Sequence, residues 1–233
     1  GYMVQKAGSR MLCFTQSLKD SIIAGVYKPG QKIPTERELA EQMGLSRTVV
    51  HAGIVELAAQ GVLSVAPRQG TFVADYTRDG TAALLNALFS HRGAFDENLA
   101  ASIFAARRLI ETECVRLACE KSSSGEIDEL EQIVGMEQSA VDAGAAQAAS
   151  LDFMFHHLLA VISGNAVYPL MIKSMQISYL ALAERFYRNI KHRQRVIEMH
   201  AGLCEALRRK NTAQALAVCA EMLDDGEQRF SMQ

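Results

Sequence analysis

Two capped helical patterns joined by Gly44-Leu45, an alternating stretch folded about Pro67-Arg68-Gln69-Gly70, and a train of amphipathic helical patterns after Gly80 predict a mostly α chain. The architecture they imply is an N-terminal winged helix-turn-helix with a small β-hairpin, followed by an all-α antiparallel helical bundle. In the first helix, within Phe14 to Val26, Leu18, Ile22 and Ile23 share one side, and Gly25 followed by Pro29-Gly30 stops it. Thr35-Glu36-Arg37-Glu38 fits a capping box, in which the Thr35 hydroxyl and the Glu38 carboxylate satisfy free backbone N–H groups at a helix start. Leu39, Ala40 and Met43 then point inward and Gly44 ends this second helix. Ser46 caps a third, in which Val50, Ile54, Leu57 and Ala58 recur at helical spacing while Arg47, Thr48 and His51 occupy the opposite face. Leu63 and Val65 before the turn and Phe72 after it make the hairpin.

Composition narrows the class. The 233 residues are 49% hydrophobic and 21% charged, an ordinary globular balance. Polar residues interrupt the long apolar stretches and the first residues lack a secretory h-region, so a cytoplasmic chain with no membrane span is expected. Five cysteines, an odd number without a C-x-x-C pair or regular spacing, argue against a disulfide framework and a structural zinc knot, and are read as buried, reduced thiols. The net charge of -2 argues against binding nucleic acid by bulk charge, but it is unevenly spread: residues 1–79 carry +2 and residues 80–233 carry -4. Three of the four prolines also lie in the first third, so two domains are expected, 1–79 and 80–233.

A small helical domain of any purpose would show the same elements, but the placement of the polar residues of the front segment points to duplex DNA. A recognition helix enters the major groove by its first turn, where Arg47, Thr48 and His51 reach phosphates and base edges. Arg37 adds its charge to a helix N-terminus facing a phosphate. Arg68 at the wing reaches the minor groove or a phosphate, and Gly70 permits close backbone approach. The run from Gly25 to Ala40, then Gly44-Leu45-Ser46-Arg47-Thr48-Val49-Val50 and Gln69-Gly70-Thr71-Phe72-Val73, resembles the DNA-binding domain of the GntR family of bacterial transcriptional regulators over about residues 15–75. The family commonly has arginine and alanine where this chain has His51 and Gly53.

After position 80 the periodicity predicts helices over 81–91, 96–121, 126–143, 147–162, 167–189, 192–209 and 212–230, with 143–149 as a helix or a loose crossover. Asp152 and His156, four apart, present a carboxylate and an imidazole on one helix face, a spacing that allows both to ligate one divalent cation. His200 lies between apolar residues that draw it toward the core. An ion pair or a satisfied core histidine fits the same spacing. Arg107-Arg108-Leu109-Ile110-Glu111, then Asp152 to His156 running on into Ser163-Gly164-Asn165, and Glu198-Met199-His200 before Asn211, resemble the FCD effector domain of the FadR subgroup.

That resemblance implies a homodimer at a palindromic operator, controlled by a small organic-acid effector, with repression relieved by ligand as the common arrangement. It implies a metal ion, zinc, nickel or manganese, on Asp152, His156 and His200. The family's last histidine falls at Met222, a poor ligand in such a set, which leaves three ligands and an open position. Glu221, one residue away, replaces it only with a register shift. Arg107 is the second cationic contact for the effector, or a surface partner of Glu111 at i+4. The alternative function is a metal-dependent hydrolase on the bundle, with Asp152, His156 and His200 around a catalytic ion. Elsewhere, His157 reads as partly exposed, His91 and His192 as solvated helix ends, and Met154, Met171, Met175 and Met199 as core filler. Tyr179, Phe186 and Tyr187 read as packing, with a cavity wall as the other role.

Overall fold

A computed structural model describes residues 2–82, 84–85 and 97–231 of the chain, with side chains from residue 8 to residue 229 of these. The chain divides into two compact units, Gly1–Gly93 and Ala94–Gln233. Leu84 belongs to the core of the first, beyond the boundary expected at 79/80.

The first unit contains α1 (Tyr2–Ile23), α2 (Glu36–Met43) and α3 (Arg47–Ala59), followed by β1 (Leu63–Ala66), β2 (Gly70–Val73) and the short α4 (Tyr76–Asp79). The local chemistry read from the sequence sets these boundaries. Thr35 and Glu38 form the reciprocal capping box at α2, Gly44 ends it in the left-handed region at φ 63°, and Ser46 accepts from the Val49 N–H to open α3. The strands pair antiparallel from Leu63 opposite Val73 to Ala66 opposite Gly70, with Arg68 at φ 66° in the tip. Phe14, Val50, Ile54 and Leu57 are fully or nearly fully buried where α1 packs on α3. Met43, expected inward, is exposed because Gly44 ends the helix beside it.

Gly53 has a packing reason. A Cβ there would come within 2.6 Å of Phe14 Cε1 and 3.1 Å of Thr15 Cγ2, so a glycine in mid-helix allows α1 to close on α3. Gly70 stands at φ 129°, and a Cβ would meet Lys32 Cε at 2.5 Å. Its glycine character is therefore accounted for inside the unit.

The second unit is a helical bundle of α5 (Glu97–Lys121), α6 (Ser124–Ser139), α7 (Ala145–Ile162), α8 (Tyr168–Ser174), α9 (Gln176–Phe186), α10 (Ile190–Arg208) and α11 (Thr212–Ser231). Helix α7 is central, with α5, α6, α8 and α9 packed on it, while α11 packs on α5 and α10. It is also long and apolar enough by composition to cross a membrane, but half of it is buried in the bundle and it carries Asp152 and His156. The helix expected over 167–189 is two helices. Met175 at φ -94°, ψ 5° breaks it: its N–H donates to the Ile172 carbonyl at 3.1 Å in a tighter turn, and the Ser178 hydroxyl adds a 2.8 Å bond to the Met175 carbonyl, which also accepts from the Tyr179 N–H. The helix expected over 126–143 ends at Ser139, and Gly144 at φ 115° turns the chain into α7. The helix expected over 81–91 and the cap at His91 lie outside the described residues, apart from 84–85.

Other expectations are corrected by burial. Cys114, Cys119, Cys204 and Cys219 are buried, with burial pushing Cys114, Cys204 and Cys219 up to about 12, but Cys13 is exposed. Met175 and Met199 are core residues, whereas Met154 and Met171 face outward. His192 is not a solvated cap: it is buried, with Nδ1 2.9 Å from the Phe186 carbonyl oxygen.

Candidate functional site

Asp152 and His156 lie one turn apart on the buried face of α7, and α10 brings His200 to the same point. Their ligand atoms lie within 4.8 Å of one another. His156 Nε2 and His200 Nε2 both stand 3.5 Å from Asp152 Oδ1. Phe155 stacks on the His200 ring at 3.8 Å between centroids and fixes its plane.

The far nitrogen of each imidazole faces a carboxylate: Glu111, expected only as a partner of Arg107, and Glu137, which sequence spacing did not single out. His200 Nδ1 is 2.9 Å from Glu137 Oε2, and His156 Nδ1 is 3.3 Å from Glu111 Oε1. Glu137 and Glu111 are both buried. The Glu137 carboxylate, hydrogen-bonded to His200 Nδ1, draws the proton there and leaves Nε2 as a lone pair, the arrangement metal-binding histidines use, while Glu111 stands beside His156 Nδ1 as a close countercharge. A signal for Glu137 was available: Ile127, Leu130 and Ile133 mark the inward face of α6, and Glu137 continues it.

Arg107 is inside the bundle, its side chain only 12% exposed, so the surface alternative fails. Its Nε lies 3.3 Å from Glu111 Oε2, its Nη2 donates to the Tyr179 hydroxyl at 3.0 Å, and the guanidinium covers the Tyr179 ring at 4.1 Å. Tyr179 in turn donates to Asp152 Oδ2 at 2.6 Å. Tyr179 is thus a polar link from Arg107 to Asp152, beyond the packing role expected of it.

The electrostatics follow from this crowding. Burial alone would raise the Asp152 carboxyl, but His156 beside it, with His200 and Arg107, holds it well below the usual carboxylate range. Burial alone would lower His156, but Glu111 and Asp152 outweigh that and raise it. Burial pushes the Tyr179 and Tyr187 hydroxyls well above the ordinary value for tyrosine, so both remain donors.

The donor set fits a divalent cation. His200 Nε2 is buried without a hydrogen-bond partner among the described residues and points at Asp152, as a ligand atom would. Three buried carboxylates, Asp152, Glu111 and Glu137, surround the two imidazoles, and Arg107 pairs with Glu111, so a divalent ion would meet an electronegative site. Two nitrogens and one oxygen form a three-ligand set with a position left open. Met222 lines the adjoining cavity with its thioether, as its place in the sequence suggested, and Glu221 is exposed and paired with Arg195 at 3.0 Å, so it does not replace the absent ligand.

The cavity beside the cluster has a volume of about 50 Å³ and is lined by Arg107, Asp152, His156 and Tyr187 among apolar side chains. A water requires roughly 10–15 Å³ measured this way, so a few waters or a small molecule fit.

In the first unit, Arg47, Thr48 and His51 are exposed on α3 and Arg68 is exposed at the hairpin tip. Arg37 is exposed and pairs with Glu41 at 3.1 Å, a weak surface contact. His51 is not isolated: its Nδ1 is 2.8 Å from Glu36 Oε1 on α2, which leaves Nε2 as the outward edge. Lys32, which sequence reasoning passed over, is exposed and bridges to Phe72 on β2, putting a second cation by the hairpin.

Comparison with known proteins agrees with both halves of this architecture. Residues 102–225 match the FCD domain, and residues 15–73 match the bacterial regulatory proteins of the gntR family. The chain is 28% identical over 206 residues to a fatty acid metabolism regulator protein of Pectobacterium atrosepticum, covering 88% of this chain and 84% of that one. It is 26% identical over 202 residues to the Glc operon transcriptional activator of Escherichia coli K12, covering 82% and 77%. Among solved structures, Listeria monocytogenes Lar has the same fold with a TM-score of 0.71 at 14% identity over 95% of this chain and 96% of that one. Escherichia coli McbR/YncC aligns at 0.56 and 23% identity, over 96% and 97%. An N-terminal winged helix-turn-helix and a C-terminal FCD bundle on one chain place this protein in the GntR family of bacterial transcriptional regulators.

Proposed function

We propose that this chain is a cytoplasmic, homodimeric repressor whose affinity for a palindromic operator is set by a small carboxylate effector bound in the FCD bundle. The observation that carries the reading is the cavity lined by Arg107 together with Asp152 and His156, two members of the Asp152, His156 and His200 cluster. A guanidinium and a cluster able to hold a divalent cation give one carboxylate two points of attachment. The ion, zinc, nickel or manganese, would be held by Asp152, His156 and His200. It would supply Lewis acidity toward the effector oxygen; the chain's own residues orient the imidazoles, through Glu137 and Glu111, and anchor the carboxylate, through Arg107.

On DNA, residues 1–79 supply the reading head and residues 80–233 supply effector binding and dimerisation. Arg47, Thr48 and His51 enter the major groove from the start of α3, Arg37 contacts a flanking phosphate, and Arg68 and the backbone at Gly70 contact the adjacent backbone or minor groove. Two linked heads reading two half-sites gain affinity by effective concentration. Effector binding then changes operator affinity by a coupling free energy. One relative named above is a transcriptional activator, and release of the operator on effector binding is what distinguishes a repressor from it.

The test uses duplexes selected by the full chain from a randomised pool, followed by fluorescence anisotropy across salt. Binding should weaken steeply as salt rises, and Arg47→Ala should abolish discrimination between the selected and scrambled duplexes. No binding to any duplex at low salt would overturn the regulator reading.

A further inference from the structure

The polar groups of the cavity lining gather about Asp152: His156 Nε2 is 3.5 Å from its Oδ1, and the Arg107 charge and the Tyr187 hydroxyl also act on it, while Phe104, Leu182, Phe186, Val196, Met222 and Leu223 supply hydrocarbon wall. Arg107 is the single lysine or arginine among the lining residues, and Met222 makes apolar the corner where the family resemblance puts a histidine. Taking the cavity as the effector site proposed above, we propose that it selects a short aliphatic monocarboxylate, one with a carboxylate at Arg107 and a compact hydrocarbon remainder without further polar groups.

Three exclusions follow from the lining. A dicarboxylate of the same length would bury its second charge against the hydrocarbon wall with no cation to meet it. A polyhydroxylated acid would bury several hydroxyls with no partner beyond the polar groups about Asp152, although a single added hydroxyl in an apolar pocket costs only about 100-fold. A long acyl chain does not fit. A volume of about 50 Å³ corresponds to roughly four waters, hence to about four to six non-hydrogen atoms. The hydrocarbon wall then favours the remainder of the acid through burial of its few carbons.

Isothermal titration calorimetry on the full chain tests this, with zinc-loaded and chelator-treated protein each titrated with 2-methylpropanoate, succinate, gluconate and decanoate. We expect 2-methylpropanoate to bind at least tenfold more tightly than the other three, and Arg107→Lys, which keeps the charge but loses the planar fork, to weaken it at least tenfold. Should Arg107→Lys fail to fold, Leu182→Ala carries the test alone: cutting back the hydrocarbon wall should improve hexanoate relative to 2-methylpropanoate. Succinate or gluconate binding as tightly as 2-methylpropanoate, with the same dependence on Arg107, overturns the monocarboxylate inference while leaving the effector site in place. Decanoate binding tightly to the wild type overturns the size limit and the inference with it. If none of the four acids binds in either metal state, both the inference and the carboxylate reading fall. An unchanged hexanoate preference in Leu182→Ala also counts against the apolar wall.

Discussion

Replacing Glu137 by glutamine isolates the role of the carboxylate behind His200. Both Glu137 oxygens lie within hydrogen-bond reach of His200 Nδ1, at 2.9 and 3.0 Å, and both residues are buried. Glutamine keeps the volume and can still accept from Nδ1, so the packing around α6 and α10 should survive. What is lost is the negative charge that makes Nε2 a stronger donor to a cation and fixes its tautomer. Outer-shell changes of this kind typically reduce metal affinity by about 10–100-fold, or roughly 1.4–2.7 kcal/mol. Because this pair is short and excluded from water, the loss should fall within that range. The assay is competition for zinc between the apo protein and a chromogenic chelator, with far-UV circular dichroism and thermal melting to show that the variant is folded. Zinc affinity within twofold of wild type in a folded Glu137→Gln variant would refute the positioning argument, and with it the relevance of the carboxylate–histidine geometry.

Other perturbations follow from the same structure. Met222→His adds an imidazole to the cavity wall beside Asp152 and His156, and should raise zinc affinity in the same competition assay; equal or weaker binding would show that the side chain at 222 does not reach the cluster. Gly53→Ala gains about 1 kcal/mol in helix propensity but forces a Cβ into the fully buried Phe14 ring, an overpacking cost of about 1–3 kcal/mol, so the variant should melt lower than wild type by up to several degrees. A higher melting temperature would mean that α1 yields to the extra methyl group. Glu38 is held below its ordinary value of 4.5 by hydrogen bonds from the Thr35 backbone N–H and hydroxyl. A lowered folded-state value means that this cap stabilises the protein above the unfolded-state pKa and that its contribution disappears as pH falls through the folded-state value. The stability difference between wild type and Glu38→Ala should therefore be largest near neutrality and shrink in acid, measured by urea unfolding at a series of pH values; a difference independent of pH would remove the charged cap from the account.

Much of the fold was legible in the sequence because its determinants are local. Thr35 and Glu38, Gly44, and Ser46 bracket α2 and α3 within a few residues, and the caps form as their chemistry dictates. The four-residue step from Asp152 to His156 determined by itself that a carboxylate and an imidazole share a helix face. It did not determine what that face meets. Glu137 reaches His200 across 63 positions, Tyr179 reaches Asp152 across 27, and Arg107 reaches Tyr179 across 72. No periodicity within one segment encodes such pairings. The same holds for Met175, where the N–H turns to the Ile172 carbonyl and divides one helical pattern into two, and for Gly53, whose absent side chain matters only because Phe14 arrives from another helix. Hydrophobic period and capping act over one or two turns, so the sequence determined the elements and their inward faces. Whether Asp152, His156 and Arg107 would meet at one cavity, with His200, Glu111 and Glu137 packed behind them, depended on how those faces packed, and only the tertiary structure decided it.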